Sequence, residues 1–126
     1  QGISIVGRVP HSETPMLYRS ADVFVFPSLF EGSARVILEA AASGLPVITT
    51  PEACDEHWVV DGQSGFRVAS ANSAMLSRRM VELASCPDLR ASMRTRSVDI
   101  ASQYTWSAYG DRCAAVCREL LGTDRC

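Results

Sequence analysis

Two glutamates, Glu31 and Glu39, frame one apolar stretch, "PSLFEGSARVILEAAASGLPVITT". It reads as a loop, a helix over Ser33 to Gly44 with glycine just past its end, and a strand over Leu45 to Thr50. Apart from Glu39 the helix has almost no polar face. A carboxylate so placed is costly unless something donates to it or pairs with it. The loop Ser28 to Gly32 leaves the end of a strand, which is where ligands bind in a parallel α/β sheet. The first helical amides, those of Gly32, Ser33, Ala34 and Arg35, lack intrahelical partners. With the helix dipole they form a site suited to phosphate, and the small residues at 32–34 let a ligand come close. Glu39 lies about 9–10 Å further in, a sensible distance from a diphosphate to a ribose with two hydroxyls to donate. Glu31, on the other side of the amides, would face a sugar. A nucleotide-sugar fits this spacing. So does a structural role, with Glu39 paired to an arginine and Glu31 complementing the dipole, and the spacing leaves both open.

The elements that must hold these groups follow from pattern. "ISIVG" (Ile3 to Gly7) and "DVFVFPS" (Asp22 to Ser28) read as strands, the second stopped by Pro27. A short helix is predicted over Ser12 to Ala21, a short helix and turn over Asp55 to Gly65, and a strand over Gly65 to Ala69. Three helices finish the chain, near Asn72 to Ala84, Asp88 to Gln103 and Trp106 to Leu121. The last has Thr105 as N-cap and Gly122 as stop. Its apolar stripe, Trp106, Tyr109, Cys113, Val116 and Leu120, is expected to pack on the domain. Strands alternating with helices give an α/β fold, a Rossmann-like parallel sheet with helices on both faces.

The chain has 126 residues, enough for one domain with a core. A net charge of −2 argues against an extended nucleic-acid surface. The sequence contains no lysine, so all 12 cationic residues are arginine and no site here uses a lysine. No apolar run approaches the ~20 residues of a membrane span. Five cysteines without framework spacing point to a reducing cytosol. Neither Cys113 with Cys117 nor the Cys54, Asp55, Glu56, His57 cluster has the paired spacing of a zinc site. Cys54 with His57 lacks any nameable oxyanion donor, which disfavours hydrolase chemistry. His11 reads as a surface histidine. Arg78, Arg79 and Glu82 read as a solvated helix face, and the Arg90, Arg94, Arg96 stripe leaves a peripheral membrane contact open.

"ADVFVFPSLFEGSARVILEAAASGLPVITT" resembles the C-terminal, donor-binding domain of the retaining GT-B glycosyltransferases, the group 1 or family 4 type. Glu31 and Glu39 match that family's Glu-x7-Glu motif. "GRVPHSETPMLYRSADVF", "VVDGQSGFRV" and "YTWSAY" match in register, so the resemblance runs from about Gly7 to Tyr109. Ser33 and Ala34 stand where the family usually has an aromatic residue and a glycine.

The resemblance implies that Glu31 contacts the donor sugar and stabilises charge at the reacting centre. It implies that the Ser33, Ala34 and Arg35 amides hold the distal phosphate, that Glu39 binds the ribose, and that Gly7 and Arg8 belong to the base-contacting loop. No cofactor or bound metal is expected. The partners implied are a nucleotide-sugar donor and an N-terminal acceptor-binding domain of the same protein, at the cytoplasmic face of a membrane or in the cytoplasm. Residues 1–126 are then one nucleotide-sugar-binding domain of a longer two-domain hexosyltransferase, shortened at its N-terminus. The family's basic phosphate clamp would lie before Ile3, so the chain alone is expected to transfer no sugar, and an exposed strand edge would favour a self-dimer. A non-catalytic interaction module and a nucleotide-sugar epimerase are the alternatives.

Overall fold

The computed structural model describes residues 2–122. A 3-10 turn over His11–Glu13 leads into α1 (Thr14–Arg19). β1 (Phe24–Phe26), α2 (Arg35–Ala42) and β2 (Val47–Thr49) follow, then β3 (Gly65–Arg67) and the helices α3 (Ser73–Ser85), α4 (Pro87–Ala101) and α5 (Trp106–Leu121). The three strands form one sheet in the order β1-β2-β3, parallel throughout.

The register explains the core. Val25, Ile48 and Phe66 stand side by side and belong to one apolar layer with Leu83 of α3 and Met93 of α4. Phe24, Phe26 and Val47 belong to the opposite layer, with Tyr18 of α1 and Ala34, Ile37 and Ala40 at α2. Alternation along each strand thus feeds two cores, and the central strand β2 is buried on both faces, as a parallel sheet requires. Ile37, Leu45 and Ile48 are fully buried, each contributing about 1.5–3 kcal/mol. α2 ends as its glycine predicts. Gly44 adopts φ +81°, its N–H donates to Ala41 O at 2.9 Å, and Leu45 N–H donates to Ala40 O at 3.0 Å. These two bonds satisfy the last helical carbonyls before the chain turns into β2. Arg94 Nε of α4 donates to Gly44 O at 2.8 Å and holds the turn from outside.

Three expectations need correction. Residues 3–7 form no strand, and Ile3 and Ile5 are almost wholly exposed. An apolar run becomes a strand only where a neighbouring strand takes its hydrogen bonds and a layer covers its faces, and this segment has neither among the described residues. Residues 55–65 form turns, not a helix. Asp55 Oδ1 accepts from His57 N–H at 2.8 Å, Ser64 Oγ from Val60 N–H at 3.0 Å and Asp61 Oδ1 from Arg67 N–H at 2.8 Å. The Ser64 hydroxyl takes the Val60 amide that a helix would use, and Asp61 ties the stretch to β3 instead. Finally, α5 has its predicted cap, Thr105 Oγ1 accepting from Ala108 N–H at 3.2 Å, and its left-handed Gly122, yet none of its residues is buried. Periodicity reveals which residues share a face, not whether anything faces them.

β3 approaches β2 so closely at Gly65 that a Cβ there would sit 1.9 Å from the Val47 carbonyl oxygen. Gly65→Ala must therefore push β3 away from the central strand β2. It should lower the unfolding free energy by roughly 2–3 kcal/mol, read as a lower urea midpoint at unchanged slope. A variant with the midpoint of the parent would show that the strands separate at little cost.

Candidate functional site

The site is built on the carboxyl ends of β1 and β2. Two buried threonines end β2. Thr49 Oγ1 donates to Phe26 O at 3.0 Å, and Thr50 Oγ1 donates to Ser28 O. A buried hydroxyl needs a partner, and these two find theirs in the last carbonyl of β1 and the loop beyond it. That loop is thereby fixed to the sheet. Within it Ser28 Oγ donates to Glu31 Oε1 at 3.0 Å, which settles where the first glutamate stands. Glu31, Gly32 and Ser33 line an open cavity of about 410 Å³ whose far wall includes Ala53, Cys54 and Trp58.

Next along the chain, α2 begins without a cap. Ala34, at φ −79° and ψ 81°, occupies the capping position, no side chain accepts from the first turn, and no acidic residue lies in it. The positive end of the helix dipole is left uncompensated. The amides of Gly32, Ser33 and Ala34 donate to nothing in the protein among the described residues. The helix starts two residues later than its pattern predicts, and the Arg35 amide differs from the other three: it closes a tight turn onto Ser33 O at 3.0 Å. The Arg35 side chain is held elsewhere, with its guanidinium carbon 4.3 Å from the centre of the Trp106 ring of α5.

Glu39 is half-buried in the second turn of α2. No arginine lies within ion-pair distance of it among the described residues, so the arginine-paired reading of this carboxylate does not hold. Its partner is Tyr18, whose hydroxyl donates to Oε2 at 3.3 Å. Tyr18 is buried, its ring edge-on to Phe24 at 5.6 Å between centres. Burial first, and then the Glu39 carboxylate, push its phenol from the ordinary 10.0 up to about 12. Glu39 lines two open cavities. One, of about 450 Å³, includes Ser33, Arg35, Tyr104 and Trp106; the other, of about 230 Å³, includes His11, Thr14, Tyr18 and Ser43.

The structure thus gathers Glu31, Gly32, Ser33, Arg35 and Glu39 along one side of the domain, with Ser33 shared between adjoining cavities. Gly7 and Arg8 lie in the exposed segment before α1 and line none of the three. Sequence reasoning missed Tyr18, Ser28 and the two threonines. Only Tyr18 left a signal: a tyrosine beside a strand, whose hydroxyl must find a partner once buried. Elsewhere, burial pushes the Cys54 thiol up, away from nucleophilic use. Arg90 donates to the carbonyls of Leu83 and Ala84, closing α3, and Arg94 holds Gly44, so two of the three arginines in the α4 stripe serve the fold. Among the described residues no three potential ligands gather as a metal site, and no helix is long and apolar enough to cross a membrane.

Comparison with known proteins bears on the family and the fold. The family described as "Glycosyl transferases group 1" matches residues 1–86. D-inositol 3-phosphate glycosyltransferase of Corynebacterium diphtheriae is 31% identical over 107 residues, 85% of this chain and 25% of the relative. Among solved structures, sucrose-phosphate synthase from Thermosynechococcus elongatus superposes with a TM-score of 0.85 at 22% identity, covering 95% of this chain and 30% of that one. The C-terminal domain of a glycosyl transferase group 1 family protein from Francisella tularensis gives 0.73 at 28% identity, covering 79% and 51%. The chain spans about a quarter of the length of the first of these relatives.

The raised Tyr18 pKa makes an alkaline signature. The native state keeps the phenolic proton to about pH 12, whereas the unfolded state loses it near 10.0. The contribution is whole below pH 10.0 and is lost as pH rises towards 12. Denaturant midpoints of the chain and of Tyr18→Phe, compared across that range, should converge as pH rises. A constant difference would mean that the phenol ionises alike in both states.

Proposed function

The chain belongs to the glycosyl transferases group 1 family, and from that footing we propose that residues 1–126 are the nucleotide-sugar-binding domain of a two-domain, retaining hexosyltransferase. The observation that carries the reading is the pairing of an uncapped helix start with a half-buried, arginine-free carboxylate about one turn behind it. Each is unfavourable alone, and a nucleotide-diphosphate sugar satisfies both. The diphosphate takes the amides of Gly32, Ser33 and Ala34. The ribose hydroxyls donate to Glu39. The hexose lies in the cavity at Glu31, which Ser28 holds in place.

In this reading the reaction is an electrostatic one. As the bond between anomeric carbon and diphosphate lengthens, negative charge grows on the leaving phosphate oxygens and positive charge on the sugar ring. Fixed amides and the helix dipole meet the first without reorganising. The Glu31 carboxylate meets the second while accepting from the sugar hydroxyls. The acceptor hydroxyl, presented by the N-terminal domain, takes the anomeric carbon on the face the diphosphate leaves, and the anomeric configuration is retained. No metal ion is needed for these roles. With its acceptor-binding partner absent, the 126-residue chain should bind donor without transferring sugar.

Calorimetric titration of the chain with UDP, GDP and ADP tests the reading. One nucleotide should bind saturably, and Glu39→Ala should weaken it by about ten- to a hundredfold, the worth of a charged hydrogen bond or two. Absence of binding to all three, or binding indifferent to Glu39, would count against a donor site and favour an interaction module.

A further inference from the structure

Glu39 sits on a helix face with three side-chain torsions of its own, yet a ribose diol can be recognised only by a carboxylate held in one orientation. We propose that Tyr18 is the positioning residue that aims Glu39, and that it sets the preference of the site for ribose over deoxyribose. This rests on the donor-site reading and adds a residue from a different element.

Three observations carry it. First, the contact is long-range: Tyr18 of α1 and Glu39 of α2 are 21 residues apart, and the hydroxyl reaches Oε2 at 3.3 Å. Second, Tyr18 is itself immobile. It is 8% exposed, packs in the same layer as Ile37, Ala40 and Val47, and stands edge-on to Phe24. A buried tyrosine has two torsions, so its hydroxyl is fixed wherever its ring is. Third, the partner is neutral. An arginine at this place would orient the carboxylate but also cancel its charge and occupy both oxygens. The tyrosine hydroxyl donates to one oxygen and leaves Oε1 without a protein partner among the described residues. The carboxylate is oriented and half free, as two ribose hydroxyls require. The high phenol pKa keeps Tyr18 a donor throughout the neutral range.

The test compares the nucleoside diphosphate that binds, among UDP, GDP and ADP, with its 2′-deoxy analogue. A site built around a hydroxyl rejects the analogue lacking it, so the chain should favour the ribonucleotide by about tenfold or more. Glu39→Ala should abolish that preference. Tyr18→Phe keeps the ring and removes only the hydroxyl. It should lower ribonucleotide affinity, leave deoxyribonucleotide affinity unchanged and bring the ratio to within about threefold of unity. Two results overturn the inference while leaving the donor site standing: Tyr18→Phe retaining the full preference that Glu39→Ala loses, or Tyr18→Phe weakening both ligands equally, the mark of a merely structural role. A chain that binds no nucleotide, or one that shows no preference and is indifferent to Glu39→Ala, overturns the donor site and the inference with it. Cooperative thermal unfolding of Tyr18→Phe, with a midpoint above the titration temperature, separates lost aim from lost fold.

Discussion

Two threonine hydroxyls determine where everything else in the site can be. Thr49 and Thr50 end the central strand with no exposed surface to speak of, and their hydroxyls have only the carbonyls of Phe26 and Ser28 to meet. A buried hydroxyl without a partner costs about 1–3 kcal/mol, so the loop leaving β1 is held against the sheet by the same penalty that keeps the threonines paired. Ser28 then has a fixed carbonyl, and its own hydroxyl fixes Glu31. The first glutamate is thus connected to the core through three successive contacts, none of them visible as spacing.

The second glutamate is supported from another direction. Its helix is pinned to the sheet by Ile37 and Ala40, ended at Gly44 and held there by Arg94. Its carboxylate is oriented by α1. The start of the same helix is left open, with no cap and no acidic neighbour. Order is imposed on every side of the crevice except the one from which an anion would enter. Such incomplete satisfaction is what binding sites are made of: unpaired polar groups held rigidly enough that a ligand completes them at little further cost in order.

Much of this could be read from residue order. Elements with strong local cause came through: β1 and β2 from their aromatic and β-branched residues, α2 from alanine and the glycine after it, α5 from Thr105 at its cap. What failed depended on neighbours. The segment at Ile3 to Gly7 has the composition of a strand and no ladder to join. The stretch from Asp55 to Gly65 has helix-forming length, but Ser64 takes the Val60 amide and Asp61 that of Arg67 in β3. The stripe on α5 is real as periodicity, but its residues stay exposed, with the Arg35 guanidinium over Trp106. In the site, both glutamates were legible because the loop-helix junction is local and its physics repeats. Tyr18, Ser28 and the threonines were not, because their roles are set by contacts that only the folded sheet creates.

The cation beside the start of α2 is of one particular kind. Arg35 lies over Trp106, and the sequence has no lysine anywhere. A guanidinium keeps its charge at any pH a cell reaches and forms neither amides with acyl donors nor Schiff bases with sugar aldehydes under ordinary conditions. The positive charge at this edge cannot be erased by acetylation or glycated as an amine.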